Sequence, residues 1–181
     1  MRISSLSRPV IPAFVFVFAM LAAAQTLHWK IHDYSDEGFT ALYPSLPDVQ
    51  KKSIDTPEGT FELRTYSAGA GDSTLMVGIC DYGPVVASKN PDQMLVGAKN
   101  SMVANSSARV MSEKKIVLDK NPGIEFEAEN GSTHFSVRMY IVQTTMYQTL
   151  VASPLSKPFN QTKRFLDSFQ LVARTKYESQ D

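Results

Sequence analysis

Two neighbouring segments of this 181-residue chain carry polar residues at every second position, and the types of those residues could do chemistry. In the first segment, residues 124–129, they are Glu125, Glu127 and Glu129. In the second, residues 133–143, they are His134, Ser136 and Arg138. Successive side chains of a β-strand point to opposite faces, so each set would share one face of its strand.

The dipeptide Asn130–Gly131 separates these segments and predicts a two-residue hairpin turn. Counting outward from this turn places Glu129 opposite Ser132 and Glu127 opposite His134. The two sets of polar side chains then lie on one face of an antiparallel pair. The residues between them, such as Phe126, are apolar and lie on the other face.

This polar face could serve three purposes. Ser136, His134 and Glu127 could be the nucleophile, base and acid of a hydrolase, or the carboxylates and imidazole could surround a metal ion. The face could instead be a half-solvated surface with cross-strand ion pairs. We favour the last, because a triad needs a preorganised pocket and the chain has no G-x-S-x-G motif. The sequence therefore predicts no catalytic residue and gives Glu127, His134, Ser136 and Arg138 a binding role.

His28 and His32 form a second candidate cluster, next to Asp33. On a helix the two histidines would share a face and could bind a metal ion. The segment has no helical pattern after Trp29, so a polar leader is the favoured interpretation and no metal site is predicted. The chain also lacks C-x-x-C, H-E-x-x-H, Walker and G-x-G-x-x-G motifs. We therefore expect no cofactor.

The first 24 residues have the composition of a secretory signal peptide. Arg2 and Arg8 supply the positive charge, residues 10–21 are apolar, and Ala22–Ala24 provide small side chains for cleavage. The apolar run is shorter than the roughly 20 residues that span a bilayer. We therefore expect cleavage before Gln25, no stable membrane span afterwards, and export to the periplasm or the extracellular space.

Bulk composition narrows the classes of partner. Lysine plus arginine and aspartate plus glutamate both number 18, so the chain is formally neutral and offers no charge for binding nucleic acid. Cys80 is the single cysteine, so no internal disulfide can form. It lies in an apolar run, where a buried inert thiol is expected.

The chain alternates short strand patterns with turns. Strands are predicted over residues 39–43, 49–56, 60–68, 74–82, 110–118, 124–129, 133–143 and 146–152, and a further strand is possible over residues 29–34. Turns are predicted at residues 57–59, 69–72 and 119–123. Asn90 followed by Pro91 predicts the start of a helix that ends near residues 105–107. Ser156 and Pro158 predict the start of a second helix.

Hairpin-connected strands with helices between them predict an α+β fold: an antiparallel β-sheet of about six or more strands, with helices packed on its faces. In the strand predicted over residues 74–82, residues 75–80 are apolar at both odd and even positions, so both faces of the strand are apolar. We therefore place this strand centrally in a sheet that is covered on both sides.

Several short motifs resemble those of bacterial exported PsbP-like domains. These are Glu37–Phe39 with Tyr43–Pro44 and Pro47, then residues 113–118 with residues 122–126, and finally Phe165–Phe169. The resemblance implies a PsbP-like α/β/α sandwich over residues 25–172, followed by a polar tail over residues 173–181. Members of this superfamily include an extrinsic photosystem II subunit, a Ran-binding factor and bacterial envelope proteins without an assigned activity. The resemblance implies binding or accessory roles and carries no catalytic residue set.

The sequence thus predicts an exported, non-catalytic binding or accessory protein. Its partner would be a protein or small molecule of the cell envelope. Two alternatives stay open: an extracytoplasmic hydrolase that uses the Ser/His/Glu group, and a metal-binding protein that uses His28 and His32.

Overall fold

The computed structural model describes residues 27–56 and 59–175. The predicted signal peptide, residues 1–24, lies outside the described residues. So do two residues of the predicted turn, at positions 57 and 58, and the last six residues of the predicted tail. No helix in the described ranges is long and apolar enough to cross a membrane.

Ten strands and two α-helices make up the described chain. The strands are β1 Lys30–Tyr34, β2 Phe39–Tyr43, β3 Asp48–Thr56, β4 Gly59–Ala70, β5 Ser73–Asp81, β6 Arg109–Leu118, β7 Asn121–Asn130, β8 Thr133–Val142, β9 Thr145–Pro154 and β10 Gln170–Leu171. The helices are α1 Pro91–Asn105 and α2 Thr162–Ser168, and a 3₁₀ turn spans Gly83–Val86.

The strands form two antiparallel sheets. Seven of them form a large sheet in the order β3-β4-β5-β9-β8-β7-β6, and β1-β2-β10 form a small one. Every neighbouring pair is antiparallel. The predicted α+β class with an antiparallel sheet is therefore confirmed. The separate small sheet was not predicted, because β10 has only two residues and no alternating pattern of its own.

Each face of the large sheet has its own hydrophobic core. On one face α1 covers the sheet, and Leu95 packs with Phe126, Val137 and Met139. On the other face the small sheet and α2 cover it, and Phe39, Tyr43, Phe165 and Phe169 belong to that core. Strand β5 is the third of the seven and is largely buried, as predicted for a strand covered on both sides.

The start of α1 is also as predicted. The Asn90 side chain accepts hydrogen bonds from the backbone N–H groups of Asp92 and Gln93, at 2.9 and 3.3 Å. These bonds satisfy two donors that a helix N-terminus otherwise leaves unpaired. The helix ends at Asn105, within the predicted range.

Three predicted boundaries were wrong. The turn expected over residues 119–123 contains only Asp119 and Lys120, which both have positive φ (48° and 70°), while the three residues that follow belong to β7. Two positive φ angles are the geometry of a tight type I′ hairpin turn, so no longer loop is needed. Likewise β4 continues through Ala70, and α2 starts at Thr162 rather than near Ser156.

Candidate functional site

The six polar residues of the predicted hairpin do share one face of the large sheet. On β7 and β8 their register is Glu125 opposite Arg138, Glu127 opposite Ser136, and Glu129 opposite His134. This is the face that the small sheet and α2 cover, whereas the apolar residues between them face α1. The predicted grouping of side chains is therefore found.

The predicted register itself was wrong by two residues, because Glu127 lies opposite Ser136 instead of His134. Asn130 pairs with Thr133 as part of the ladder, so Gly131 and Ser132 form the turn. The Asn130 Oδ1 atom accepts a hydrogen bond from the Thr133 N–H at 3.2 Å. Asparagine favours this first position of a type I turn, where its side chain bonds the backbone further along. The face assignment is still correct, because a shift of two residues equals the period of a strand and leaves each side chain on its face.

Glu127 is the centre of one polar group. The Ser136 hydroxyl donates to Glu127 Oε2 at 2.6 Å, and His134 Nε2 lies 2.8 Å from the same oxygen. His134 Nδ1 lies 3.1 Å from Glu129 Oε1. The imidazole of His134 thus lies between two carboxylates, and Ser136 is hydrogen-bonded to that of Glu127.

This connectivity differs from that of a nucleophile activated by histidine. In a Ser-His-acid triad the hydroxyl donates to an imidazole nitrogen, which removes its proton. Here the Ser136 hydroxyl donates to the Glu127 carboxylate, and both nitrogens of His134 face glutamates. The serine is also buried, with 4% of its surface exposed. The geometry does not favour the hydrolase alternative.

Arg138 is the centre of a second polar group and ties the sheet to α2. Its Nε donates to Glu125 Oε2 at 2.6 Å, and its Nη1 lies 2.9 Å from Asp167 Oδ1 on the helix. Lys114 of β6 lies 2.6 Å from the other oxygen of Glu125. The three strands β6, β7 and β8 are therefore linked to α2 by a connected set of charges.

The pairing shifts the pKa values of these groups. Burial raises the pKa of Glu125, but hydrogen bonds from Lys114 and Arg138 outweigh burial and leave the pKa below its ordinary value. The pKa of Asp167 is also lowered, mainly by its hydrogen bond from Lys163. Burial lowers the pKa of Arg138, but its bonds to the two carboxylates outweigh that effect and raise the pKa.

Only part of this polar face is accessible. The side chains of Glu127, Glu129 and His134 are 33%, 29% and 28% exposed, whereas those of Glu125 and Arg138 are each 18% exposed. No group of three or more potential metal ligands is found within the described residues. The accessible part of this polar face therefore consists of two carboxylates and the imidazole that contacts both of them.

The histidines near the start of the described chain do not share a helical face. Residues 30–34 form strand β1, and His32 packs among aromatic rings, stacked on Tyr34 at 6.5 Å and edge-on to Tyr43 at 5.8 Å. His28 precedes the strand and is exposed. The helical arrangement that would have placed both histidines on one face is absent from this segment.

Sequence reasoning missed a second ionic cluster at the turn between β1 and β2. Arg64 Nη2 donates to Glu37 Oε2 at 2.8 Å, and its Nε lies 2.7 Å from Oε1, as an ion pair rather than an aligned hydrogen bond. Tyr66 donates to the same carboxylate at 3.1 Å. Burial raises the pKa of Tyr66, and the negative charge of Glu37 raises it further. This cluster joins the small sheet to the large one.

Arg174, which the sequence places in the polar tail, completes this cluster. Its guanidinium lies 3.1 Å from Asp81 Oδ2 and donates to Tyr147 Oη at 3.3 Å, and Tyr147 donates to the Glu37 carbonyl at 2.8 Å. Gly38 has φ +85°, and a Cβ there would lie 2.8 Å from the Tyr147 oxygen. The sequence feature that could have indicated this cluster is the pair Glu37–Gly38, because the glycine predicts a turn and a turn would fix the position of the adjacent glutamate.

Comparisons with known proteins identify the fold. No family model matches the chain, and no curated protein matches it. The solution structure of cyanobacterial PsbP (CyanoP) from Synechocystis sp. PCC 6803 matches with a TM-score of 0.54 and 10% identity, over 85% of this chain and 98% of that one. A crystal structure of PA94, a protein of unknown function from Pseudomonas aeruginosa, matches with a TM-score of 0.34 and 7% identity, over 71% of this chain and 85% of that one.

The PA94 match is too distant to support a conclusion, whereas the CyanoP match spans nearly the whole of that protein. At 10% identity the match carries the fold and no residue roles. The predicted resemblance is confirmed at that level: the chain has the PsbP-like fold.

Proposed function

We propose that this protein is an exported, non-catalytic binding or accessory protein of the PsbP-like fold. Its contact surface is the accessible part of the polar face, formed by Glu127, Glu129 and His134, and Ser136 and Arg138 hold these side chains in place. Its partner is a protein or small molecule of the cell envelope.

The bond from the Ser136 hydroxyl to Glu127 carries this proposal. That bond directs the serine hydroxyl to the Glu127 carboxylate and away from the imidazole that would activate it in a Ser-His-acid triad, so the arrangement suits recognition better than triad chemistry. Because the carboxylates and the imidazole hold one another, little side-chain freedom is lost when a partner binds. A preorganised surface of this kind suits a partner with complementary charges.

Export is supported by the amino-terminal sequence rather than by the fold. The positive residues, the apolar run and the alanines before Gln25 have the order and lengths of a signal peptide. The near-neutral charge argues against nucleic acid as the partner.

Affinity capture from the envelope fraction of the producing cells tests the proposal. The wild-type protein is compared with Glu129→Lys, and Asp55→Lys on exposed β3 is the control with the same change of charge. We expect a defined partner to be retained by the wild type and by the control, and lost with Glu129→Lys. Equal capture by all three proteins would show that this face does not bind the partner.

Catalysis is tested separately on envelope substrates with purified wild type, Ser136→Ala and Glu127→Gln. We expect no turnover that depends on either residue. Turnover by the wild type that either substitution abolishes would overturn the proposal in favour of the hydrolase.

A further inference from the structure

Strand β6 lies at one edge of the large sheet. Within the described chain it pairs with β7 on one side only, and it is the last strand in the sheet order. The backbone groups on the outer side of an edge strand have no ladder partner, so another strand can add to them. A bulge between Val110 and Ser112 is the one irregularity in its pairing with β7.

The exposed residues of β6 have a self-complementary order. Met111 and Val117 are exposed apolar residues, at 47% and 72%, and Glu113 and Lys115 lie between them. Glu113 and Lys115 pair with the α1-facing residues of β7, so they share that face of the sheet. The order apolar, acidic, basic, apolar is centred on Lys114.

We propose that two copies of this chain associate through β6, with the strands antiparallel and Lys114 on the two-fold axis. In that register Glu113 lies opposite the second copy's Lys115, and Met111 lies opposite the second copy's Val117. Each contact occurs twice, as two-fold symmetry requires. Opposite charges and apolar pairs directly across an antiparallel ladder stabilise it.

Charge complementarity selects this register over its neighbours. Moving the axis one residue toward the N-terminus places Glu113 opposite its own copy, and moving it the other way places Lys115 opposite its own copy. Either move also loses both contacts between Glu113 and Lys115, and like charges directly opposite one another destabilise a ladder. The axis at Lys114 places that lysine opposite its own copy, but both contacts between Glu113 and Lys115 form, and Glu125 lies 2.6 Å from the Lys114 ammonium in each protomer.

The other edge of the sheet, β3, does not have this property. An axis at Ser53 places Lys51 opposite Asp55 but also places Lys52 opposite Ile54. An axis at Gln50 places Asp48 opposite Lys52 but also places Lys51 opposite Val49. On β3 the registers with opposite charges thus also oppose a lysine to an apolar side chain, whereas on β6 apolar pairs flank the opposite charges. We therefore place the second copy at β6, and β3 supplies control positions.

Mixing two charge variants tests the pairing. Glu113→Lys and Lys115→Glu each place like charges across the two-fold axis, so each alone should dimerise at least about tenfold more weakly than wild type. A one-to-one mixture places lysine opposite glutamate at both contacts and should recover dimer. Each substitution also breaks a bond to α1, from Lys99 or Asp92, but those losses are the same before and after mixing. Sedimentation velocity over a concentration series measures the dimer fraction.

Cysteine cross-linking tests the register. Lys114→Cys places the two thiols opposite each other at the axis and should give a disulfide-linked dimer under mild oxidation. Val117→Cys faces residue 111 of the second copy, and Lys52→Cys lies on β3, so neither should cross-link. The native Cys80 is buried, and the wild-type protein provides the background.

Recovery of dimer on mixing, together with a cross-link at position 114 alone, would support the β6 dimer. A wild-type chain that stays monomeric up to millimolar concentration, a mixture that stays monomeric, or equal cross-linking at all three positions would overturn it.

Discussion

Gly123 of β7 lies directly beneath an aromatic ring, and we predict that an alanine there destabilises the fold strongly. A Cβ atom at this position would lie 2.5 Å from Tyr140 Cδ1 and 2.7 Å from the Met139 backbone oxygen. Carbon atoms in contact normally lie about 3.5–4.0 Å apart, so the overlap is about 1 Å or more. The backbone oxygen cannot rotate away as a side chain could.

The ring of Tyr140 has little room to move. Tyr140 is 5% exposed, and its ring is stacked on that of Phe169 with centroids 6.0 Å apart and an interplanar angle of 3°. Overpacking of a core costs about 1–3 kcal/mol, and a disturbed aromatic pair costs about 0.5–1.5 kcal/mol more. Replacing glycine with alanine returns about 0.4–1 kcal/mol through the unfolded state. We therefore expect Gly123→Ala to lower the free energy of unfolding by about 2 kcal/mol.

Gly78 of β5 is the matched control. A Cβ atom there would meet Leu63 Cδ1 at 3.7 Å and Gln148 Cβ at 3.9 Å, which are ordinary contacts. Gly78→Ala should therefore leave the protein unchanged or stabilise it by up to about 1 kcal/mol. Urea unfolding of both variants, followed by far-ultraviolet circular dichroism, measures the difference. A Gly123→Ala protein as stable as Gly78→Ala would refute the packing described for Tyr140.

Three further predictions concern a buried hydroxyl, a helix cap and an ion pair. The Thr149 hydroxyl is fully buried and has no hydrogen-bond partner among the described residues, so Thr149→Val should be neutral or raise the free energy of unfolding by about 1 kcal/mol; a decrease of more than about 1 kcal/mol would show that the hydroxyl has a partner. Asn90→Ala should lower it by about 1 kcal/mol, measured by urea unfolding, because two N–H groups of α1 lose their acceptor; no loss would contradict the cap. The pKa of Glu125 in the folded state lies below its ordinary value of 4.5, so the ionised side chain stabilises the fold above pH 4.5 and this stabilisation is lost as the pH falls through the folded-state pKa. When the free energy of unfolding is measured from about pH 5 to 3, it should therefore fall less steeply for Glu125→Gln than for wild type. The same dependence on pH in both proteins would contradict the pairing.

The sequence predicted most of the large sheet because period-two alternation identifies strands and their faces without a knowledge of register. For that reason Glu127, His134 and Ser136 were grouped correctly although the turn between their strands was misplaced. The dipeptide Asn130–Gly131 is compatible with a turn in which asparagine is either the first or the second residue. In the structure Asn130 is the first, and its Oδ1 atom accepts a hydrogen bond from the Thr133 N–H, a contact that the dipeptide pattern does not predict.

Contacts between distant parts of the chain could not be predicted from local pattern. Glu37 lies in the turn between two strands of the small sheet whereas Arg64 lies in the large sheet, and Arg174 contacts Asp81 across 93 residues of sequence. The direction of the Ser136 hydroxyl bond is also invisible to spacing, because serine, histidine and glutamate at these positions suit a triad equally well. Only the side-chain geometry shows that Glu127 takes the position between the other two.

Photo-cross-linking in the intact envelope tests the central claim, that the polar face of β7 and β8 binds a partner outside the cytoplasm. A photoreactive residue replaces Ser132, which is exposed in the turn between β7 and β8 and leaves the contact residues intact, and the control replaces Ser101, which is exposed on α1 across the large sheet. We predict one discrete adduct at position 132, on a chain that begins at Gln25, and none at position 101. The absence of an adduct at position 132, the same adducts at both positions, or a chain that retains its first 24 residues would contradict the account.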